Sequence, residues 1–237
     1  MPRPLRHQLV GLHSTNHCTW RSHDGIDVFA DDDVARYFLL LLARYKSRYG
    51  ILIHSYCLMG THPHVLVTAT QGQKAFSGFW QVVNRQLAVY FNKKNKRRGQ
   101  LVMERLRSPA IQPDGRHMTV MRYGDLNPVR AGLVKSAAQW THSSFQHYAY
   151  GKTNPLIDDA PDYVALGSTP GARQQAYLNF FETKQVEPLL QRCPELVSAP
   201  FIGNAVWVDL QRSGLSPRMS VMDSQPDGLQ SASLPSG

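Results

Sequence analysis

The sequence predicts an α+β fold in which an antiparallel sheet carries its helices on one face. Apolar, β-prone runs alternate with amphipathic helical patterns in the order strand, helix, strand, strand, helix, strand, helix. Two of the predicted strands are joined by only Gly60 and Thr61, which indicates a tight antiparallel turn. This order of elements is the split βαβ arrangement of ferredoxin-like folds.

The first part of the chain predicts one strand and one helix. Leu9–Asn16 has the mixed character of a strand, and the polar segment 17–25 follows it as a loop. Asp31-Asp32-Asp33 supplies an N-cap and first-turn acids for a helix over Val34–Tyr49, which Gly50 ends.

The next two predicted strands form a hairpin. Ile51–Met59 is apolar and β-prone, and His62–Ala69 runs back antiparallel to it. Pro63 lacks an N–H group, so we expect it at the start of a strand or on an edge.

The longest helical pattern covers Gln71–Arg98, with aromatic and aliphatic residues at three- and four-residue spacing. We interpret its aromatic residues as core packing. A strand is predicted around Ser108–Gln112, and a helix over Arg116–Leu126 that Pro128 ends or kinks.

The chain is predicted to contain one main domain at residues 1–150 and a small helical C-terminal extension at 151–212. The extension includes a helix over Gly171–Gln185. Residues 213–237 are rich in Ser, Pro, Gly and Gln, which predicts a disordered tail.

Charge is concentrated in the middle of the chain. The net charge is +9 and the pI is about 9.6. The stretch Arg85–Lys135 holds twelve basic and three acidic residues, and the flanking parts cancel. This pattern indicates a bound polyanion, with nucleic acid favoured over a solvated helix end. The basic residues expected to contact it are Lys93, Lys94, Lys96, Arg97, Arg98, Arg105, Arg107, Arg122 and Arg130.

Composition predicts a cytoplasmic protein. The three cysteines form no CxxC pair and are odd in number, which indicates no disulfide framework. The apolar run Tyr37–Ala43 is too short to span a bilayer, and the basic N-terminus is not followed by the apolar core of a signal peptide.

Two pairs of residues have spacings that place each pair on one face of its element. His62 and His64 are two apart in a strand, and Tyr123 and Asn127 are four apart in a helical pattern. Two imidazoles and an amide oxygen can hold a divalent ion, Mg²⁺ or Mn²⁺, with positions left for phosphate oxygens. Such a cation would help a tyrosine hydroxyl, a poor nucleophile at neutral pH, to attack a phosphate. Each piece alone is weak, because His-x-His is more often structural and Asn-Pro is more often a helix stop.

These motifs resemble those of a known family. His62-Pro63-His64 is similar to the His-hydrophobic-His motif of the HUH endonucleases, and residues 123–134 (YGDLNPVRAGLV) resemble the tyrosine-helix signature of the REP-associated tyrosine transposases. The resemblance runs from about His13 to Leu210 and includes the following residues of the later segments: Trp140, Ser143, Ser144, Tyr148, Tyr163–Gly167, Arg173 and Tyr177.

The resemblance implies a ferredoxin-like fold and the cleavage and joining of single-stranded DNA. We expect the DNA to contain hairpins (palindromic, REP-like) and the protein to act as a monomer or homodimer. The resemblance implies Tyr123 as the nucleophile that forms a 5′-phosphotyrosine. It also implies a divalent ion held by His62, His64 and Asn127.

The sequence departs from the family pattern at four places. Pro63 replaces an aliphatic residue, Gly60-Thr61 replaces Pro-Asn, His17 stands where arginine is expected, and Gly124 lies inside the tyrosine helix.

Two other interpretations stay open. One is a catalytically silent single-stranded nucleic-acid-binding module. The other, which the spacing favours less, is a structural zinc site made by the two motif histidines and Cys57.

Overall fold

The computed structural model describes residues 6–182, 193 and 195–213 of the 237-residue chain. A five-stranded sheet has the order β2-β3-β1-β4-β5. The strands are β1 Ser14–Thr19, β2 Ile51–Met59, β3 His62–Ala69, β4 Ala110–Ile111 and β5 Phe201–Ile202. Neighbouring strands are antiparallel except β4 and β5, which are parallel, so the sheet is mixed.

Ten α-helices of the described residues surround the sheet. They are α1 Arg6–Leu9, α2 Asp32–Lys46, α3 Gly72–Lys94, α4 Arg116–Asp125, α5 Asn127–Arg130, α6 Phe145–Tyr150, α7 Pro161–Val164, α8 Pro170–Glu182, α9 Glu195–Ser198 and α10 Ala205–Ser213. No described helix combines the length and the apolar character that a bilayer span needs.

The hairpin at the centre of the fold has the predicted bounds. β2 and β3 cover the two predicted strands, and α2 begins at the predicted acidic cap, where the Asp31 carboxylate accepts a bond from the Asp33 amide at 2.9 Å. Gly50 then ends the helical segment in the left-handed conformation, with φ of 57°. β2 carries one irregularity, a register shift between Ile53 and Ser55.

The first strand lies later than predicted. The predicted strand Leu9–Asn16 is wrong, because the chain is helical at Arg6–Leu9 and the strand is Ser14–Thr19. Its polar residues are buried and bonded within the core. Asn16 Nδ2 donates to the carbonyls of Leu9 at 2.8 Å and Ser108 at 3.0 Å, which is why a polar segment is stable here.

The sheet is covered on both faces, so the prediction of helices on one face is wrong in this respect. Val65 and Val67 pack with α2 and α3 in one core, whereas Leu66 packs with α4, α6 and α8 in a second core. Consecutive residues of a strand point to opposite faces, so the uninterrupted run Val65-Leu66-Val67 needs apolar cover on both sides.

The extension packs onto this second core. Tyr163 and Tyr177 join Phe145 and Tyr148 there, and the Tyr163 hydroxyl donates to the Tyr148 carbonyl at 3.1 Å. The predicted helix over 171–185 is described as Pro170–Glu182. Of the predicted tail 213–237, only Ser213, the last residue of α10, belongs to the described residues.

Candidate active site

A cavity of about 440 Å³ opens where β1 and β2 end and β3 begins. It lies beside the end of α4 and the start of α5. Its lining combines four groups of residues: both motif histidines, the tyrosine–asparagine pair, three arginines and one acid. They are His62, His64, Tyr123, Asn127, Arg21, Arg107, Arg130 and Glu104.

The two motif histidines share one face of β3. Their ring centroids are 5.0 Å apart. His62 lies at the first residue of the strand, half-buried, and its Nδ1 is 2.9 Å from the Thr61 hydroxyl. His64 is buried, at 4% exposure. Pro63 is the second residue of the strand, between the two histidines, and it stays paired with Leu58 of β2.

His17 lies directly behind His64. Thr19 of β1 is opposite His64 in the sheet, so His17 is its diagonal neighbour on the same face. The His17 Nε2 atom is 2.9 Å from His64 Nδ1, and the His17 Nδ1 atom is 2.6 Å from the Leu196 carbonyl oxygen of α9. The Nε2 atom of His64 is buried and has no hydrogen-bond partner among the described residues.

Both buried imidazoles are neutral at pH 7. Burial lowers the pKa of His17 to about 4, although the bond to Leu196 opposes the shift. Burial is the main cause that holds the pKa of His64 well below its usual value, and the neighbouring basic groups of His17, His62 and Arg130 lower it further. A neutral imidazole keeps one bare nitrogen, the form in which histidine binds metals.

Tyr123 lies in the last turn of α4 and faces the histidines. Its ring centroid is 5.8 Å from that of His64, nearly perpendicular to it. The Arg130 guanidinium lies over the Tyr123 ring, 4.1 Å from the ring centroid, and also donates to the Tyr123 carbonyl. Burial lowers the pKa of Arg130, but a guanidinium stays charged. The Tyr123 ring is therefore in contact with a positive charge.

Asn127 begins α5, one helical turn after the tyrosine. Its Nδ2 atom donates to the Tyr123 carbonyl at 3.1 Å. This bond fixes the amide so that Oδ1 is the atom left to act as a ligand. The spacing of four residues therefore brings the tyrosine and the amide to one cavity, as the sequence predicts.

The donor set suits a divalent ion. The buried His64 Nε2 has no hydrogen-bond partner among the described residues, and a metal ion would supply one; Asn127 and His62 line the same cavity as His64. Among the described residues, no three His, Cys, Asp or Glu side chains form a metal cluster. This finding contradicts the interpretation of a structural zinc site with Cys57, whose thiol is buried opposite His64 in β2.

The tyrosine helix is held from outside the cavity. Asp125 is 1% exposed and accepts a bond from the Tyr177 hydroxyl of α8 at 2.7 Å. Arg122 donates to the Phe180 carbonyl at 2.8 Å and lies 3.8 Å from the centroid of its ring. The structure therefore places Arg122 against α8 and not in the cavity wall.

The basic end of α3 lies at the same end of the sheet as the cavity. Lys94 bonds the Asp31 and Asp33 carboxylates at 2.7 and 3.0 Å, and this start of α2 is tied to the β2–β3 turn by the Phe29 amide and the Gly60 carbonyl at 2.9 Å. Lys93, Lys96, Arg98 and Arg105 are exposed nearby.

Some of the predicted basic residues are used within the protein. Lys94 is paired with the two acids, and Arg97 donates to the Asn92 side chain and the Gln100 carbonyl. Arg107 lines the cavity but is bonded to Glu104 at 2.9 Å. Arg130 is the predicted basic residue that contacts the tyrosine directly.

Sequence reasoning gave no role in the site to His17, which lies behind His64, or to Arg21 and Glu104, which line the cavity. His17 falls in a segment predicted as a loop, and only the alternation of residues 16–20 (NHCTW) could have indicated a strand there. Arg21 and Glu104 lie on opposite sides of an irregular pairing in which the Met103 amide donates to the Arg21 carbonyl at 2.9 Å. No local sequence pattern predicts this contact between residues 21 and 103.

Comparison with known proteins supports the fold. No protein-family model matches the sequence, and no curated protein matches it. The chain is similar to a solved structure described as "Structure of the REP associates tyrosine transposase bound to a REP hairpin". The two are 19% identical, with a TM-score of 0.52, over 67% of this chain and 92% of the other. The predicted α+β fold and its likeness to that of a REP-associated tyrosine transposase are therefore confirmed at the level of the fold.

Proposed function

We propose that this protein cleaves and rejoins single-stranded DNA at hairpin-containing, palindromic sequences through a covalent 5′-phosphotyrosine at Tyr123. One observation carries the proposal. Residues from two distant parts of the chain, His62 with His64 and Tyr123 with Asn127, line a single cavity. A tyrosine hydroxyl, a cationic guanidinium and nitrogen and oxygen ligands are the parts that phosphoryl transfer needs.

In the proposed reaction the Tyr123 Oη atom attacks a backbone phosphorus. The bond between oxygen and phosphorus forms as the bond from phosphorus to the O3′ atom of the preceding nucleotide breaks. The phenol gives up its proton and the departing O3′ atom takes one up. The energy of the phosphodiester is kept, so a second 3′-hydroxyl can displace the tyrosine and rejoin the strand.

The residues around the tyrosine have separate tasks. Arg130 fixes the ring and places a positive charge beside the developing negative charge of the phosphate. His62, His64 and Asn127 would hold Mg²⁺ or Mn²⁺. Such an ion, when bound, neutralises phosphate oxygens and favours ionisation of the attacking hydroxyl. Arg21 and Arg107 add basic groups to the cavity wall.

DNA hairpins are the proposed substrate for two reasons. The structurally similar transposase is described as bound to a REP hairpin. The exposed basic residues after α3 lie at the end of the sheet where the cavity opens, so a strand held by them would pass the tyrosine.

The test uses the full chain and a single-stranded DNA carrying palindromic hairpins, with one sample labelled at the 5′ end and another at the 3′ end. With Mn²⁺ we expect the 3′-labelled fragment to become attached to protein and the 5′-labelled fragment to be released. The adduct should be absent in Tyr123→Phe, in His64→Ala and in excess EDTA. Tyr150→Phe is the matched control, because this tyrosine is 56% exposed on α6 and should leave the adduct unchanged.

A catalytically silent hairpin-binding protein is the second candidate. The basic surface supports binding without any reaction. Hairpin binding by the wild type without an adduct in Mn²⁺ or Mg²⁺ would favour this alternative. A phosphotyrosine mapped by mass spectrometry to another residue, such as Tyr148 or Tyr150, would overturn the assignment of the nucleophile.

A further inference from the structure

A chain of three polar groups passes behind the candidate metal ligand. It begins at the Leu196 carbonyl oxygen of α9, continues through both nitrogens of His17 in β1, and ends at Nδ1 of His64 in β3. His17 is 1% exposed, and its ring is stacked on that of His64 with centroids 5.1 Å apart and planes at 19°. The two bonds are 2.6 and 2.9 Å long.

The Leu196 carbonyl determines which nitrogen of His17 and of His64 carries the hydrogen. A carbonyl oxygen only accepts, so His17 Nδ1 must carry the hydrogen that it donates to Leu196. In a neutral ring His17 Nε2 is then bare and must accept, so His64 Nδ1 carries the hydrogen of that bond. The His64 Nε2 atom is left with its lone pair.

We propose that His17 is a positioning residue that holds the proton of His64 on Nδ1 and so keeps Nε2 bare for a divalent cation. The inference rests on the proposed function for the presence of that ion, but the proton positions follow from the two bonds and from the uncharged state of both buried rings. Groups behind a metal-binding histidine fix its tautomer and ring orientation in this way. Here the group that fixes the tautomer of His17 is the peptide carbonyl of Leu196, which cannot ionise.

A purely structural histidine pair would not be built like this. A buried nitrogen that lacks a partner costs stability, so packing alone favours an arrangement in which every ring nitrogen is bonded. His54, in β2, satisfies this expectation: its nitrogens are 2.8 Å from the Asp158 carbonyl and 2.8 Å from the Thr68 hydroxyl. His64, which lines the cavity, instead leaves its Nε2 atom without a partner among the described residues.

The first experiment reads the tautomers in the metal-free full-length protein. Nitrogen-15 NMR of histidine-labelled samples separates a nitrogen that carries a proton from one that carries a lone pair. We expect His17 and His64 each to be protonated on Nδ1 at pH 7. Protonation of His64 on Nε2 in the wild type would overturn the proposal.

The second experiment measures Mn²⁺ affinity by electron paramagnetic resonance. His17→Phe keeps a flat, buried ring but offers no acceptor, so we expect the affinity to fall about 10- to 100-fold, with part of the His64 population protonated on Nε2. In His17→Gln the side-chain amide oxygen can accept from His64 Nδ1, so this variant should recover the Nδ1 tautomer and most of the affinity.

His54→Phe is the control for general destabilisation, because His54 is also buried, at 2% exposure, and its ring nitrogens bond Asp158 and Thr68 instead of His64. It should lower the melting temperature without changing Mn²⁺ affinity. Wild-type affinity in His17→Phe, or an equal loss in His54→Phe, would overturn the role of His17. Absence of the DNA adduct with the expected tautomers and affinities would overturn only the proposed function.

Discussion

The buried carboxyl group of Asp125 makes the stability of the fold depend on pH in a predictable direction. It lies at the end of α4, 1% exposed, and accepts the Tyr177 hydroxyl at 2.7 Å. Burial raises the pKa of Asp125 from 3.8 to about 7, although the bond from Tyr177 opposes the shift. The folded carboxyl therefore holds its proton over a pH range in which the unfolded carboxyl has lost it.

The sign and size of the effect follow from this difference. Between about pH 4 and 7 the folded state binds the additional proton, so this group destabilises the fold progressively as the pH rises through that window. A shift of about 3 pKa units corresponds to about 4 kcal/mol. Asp125→Asn keeps the shape and an oxygen that accepts from Tyr177 but cannot ionise. Relative to wild type, it should stabilise the fold by up to about 4 kcal/mol at pH 8 and far less at pH 5.

Urea unfolding at pH 5 and pH 8, with a chelator present, measures this difference between variant and wild type. Tyr177→Phe should have the opposite sign, because it removes the bond that supports the ionised carboxylate. It should destabilise the fold by about 1–3 kcal/mol at pH 8 and by less at pH 5. An Asp125→Asn effect of equal size at both pH values would refute the reasoning.

Three further predictions concern glycines and lysines. Gly124→Ala should stabilise α4 by about 0.5–1 kcal/mol in thermal unfolding, because its added Cβ would lie 4.0 Å from its nearest neighbour, at ordinary contact distance. Gly50→Ala should instead destabilise by at least about 1–2 kcal/mol, because φ is 57° and the Cβ would approach neighbouring side-chain atoms to 2.5 Å; equal effects of the two changes would contradict this account. In binding titrations against salt, Lys93→Ala should reduce the slope of affinity by about 1, whereas Lys94→Ala should change it less because its ammonium group is held by two carboxylates.

The parts of the fold that local pattern controls were predictable from the sequence. The bounds of β2 and β3 follow from apolar runs on either side of a two-residue turn, and the start of α2 follows from its acidic cap. The position of β1 was not predictable in this way, because Asn16 and His17 are polar yet buried. Their burial depends on partners as distant as Ser108 and Leu196, which no local periodicity reveals.

The candidate site likewise has features that local spacing predicts and features that depend on distant contacts. The spacing of His62 with His64 and of Tyr123 with Asn127 predicts that each pair shares a face, and the split βαβ order suggests that the pairs meet. The sequence could not predict which basic side chains are free to bind DNA. A count of basic residues does not distinguish an exposed lysine from one that is paired with a carboxylate, as Lys94 is. Helices α4 and α8 were predicted, but the face of the sheet on which they pack was not; the uninterrupted apolar run Val65-Leu66-Val67 is the signal that could have indicated it.

The bond between His17 and Leu196 joins residues 179 positions apart, which has a consequence for synthesis of the protein. A ribosome adds about 5–20 residues per second, so roughly 10–35 s separate the two ends of this bond in a growing chain. When Leu196 is added, the residues of both strands that carry the histidines have already been translated, and the carbonyl that orients His17 is the last of these bonded groups to be made. The residues of the tyrosine helix are therefore synthesised before the carbonyl that holds the proton of His64 on Nδ1, and the site cannot be complete until the segment that carries Leu196 has been translated.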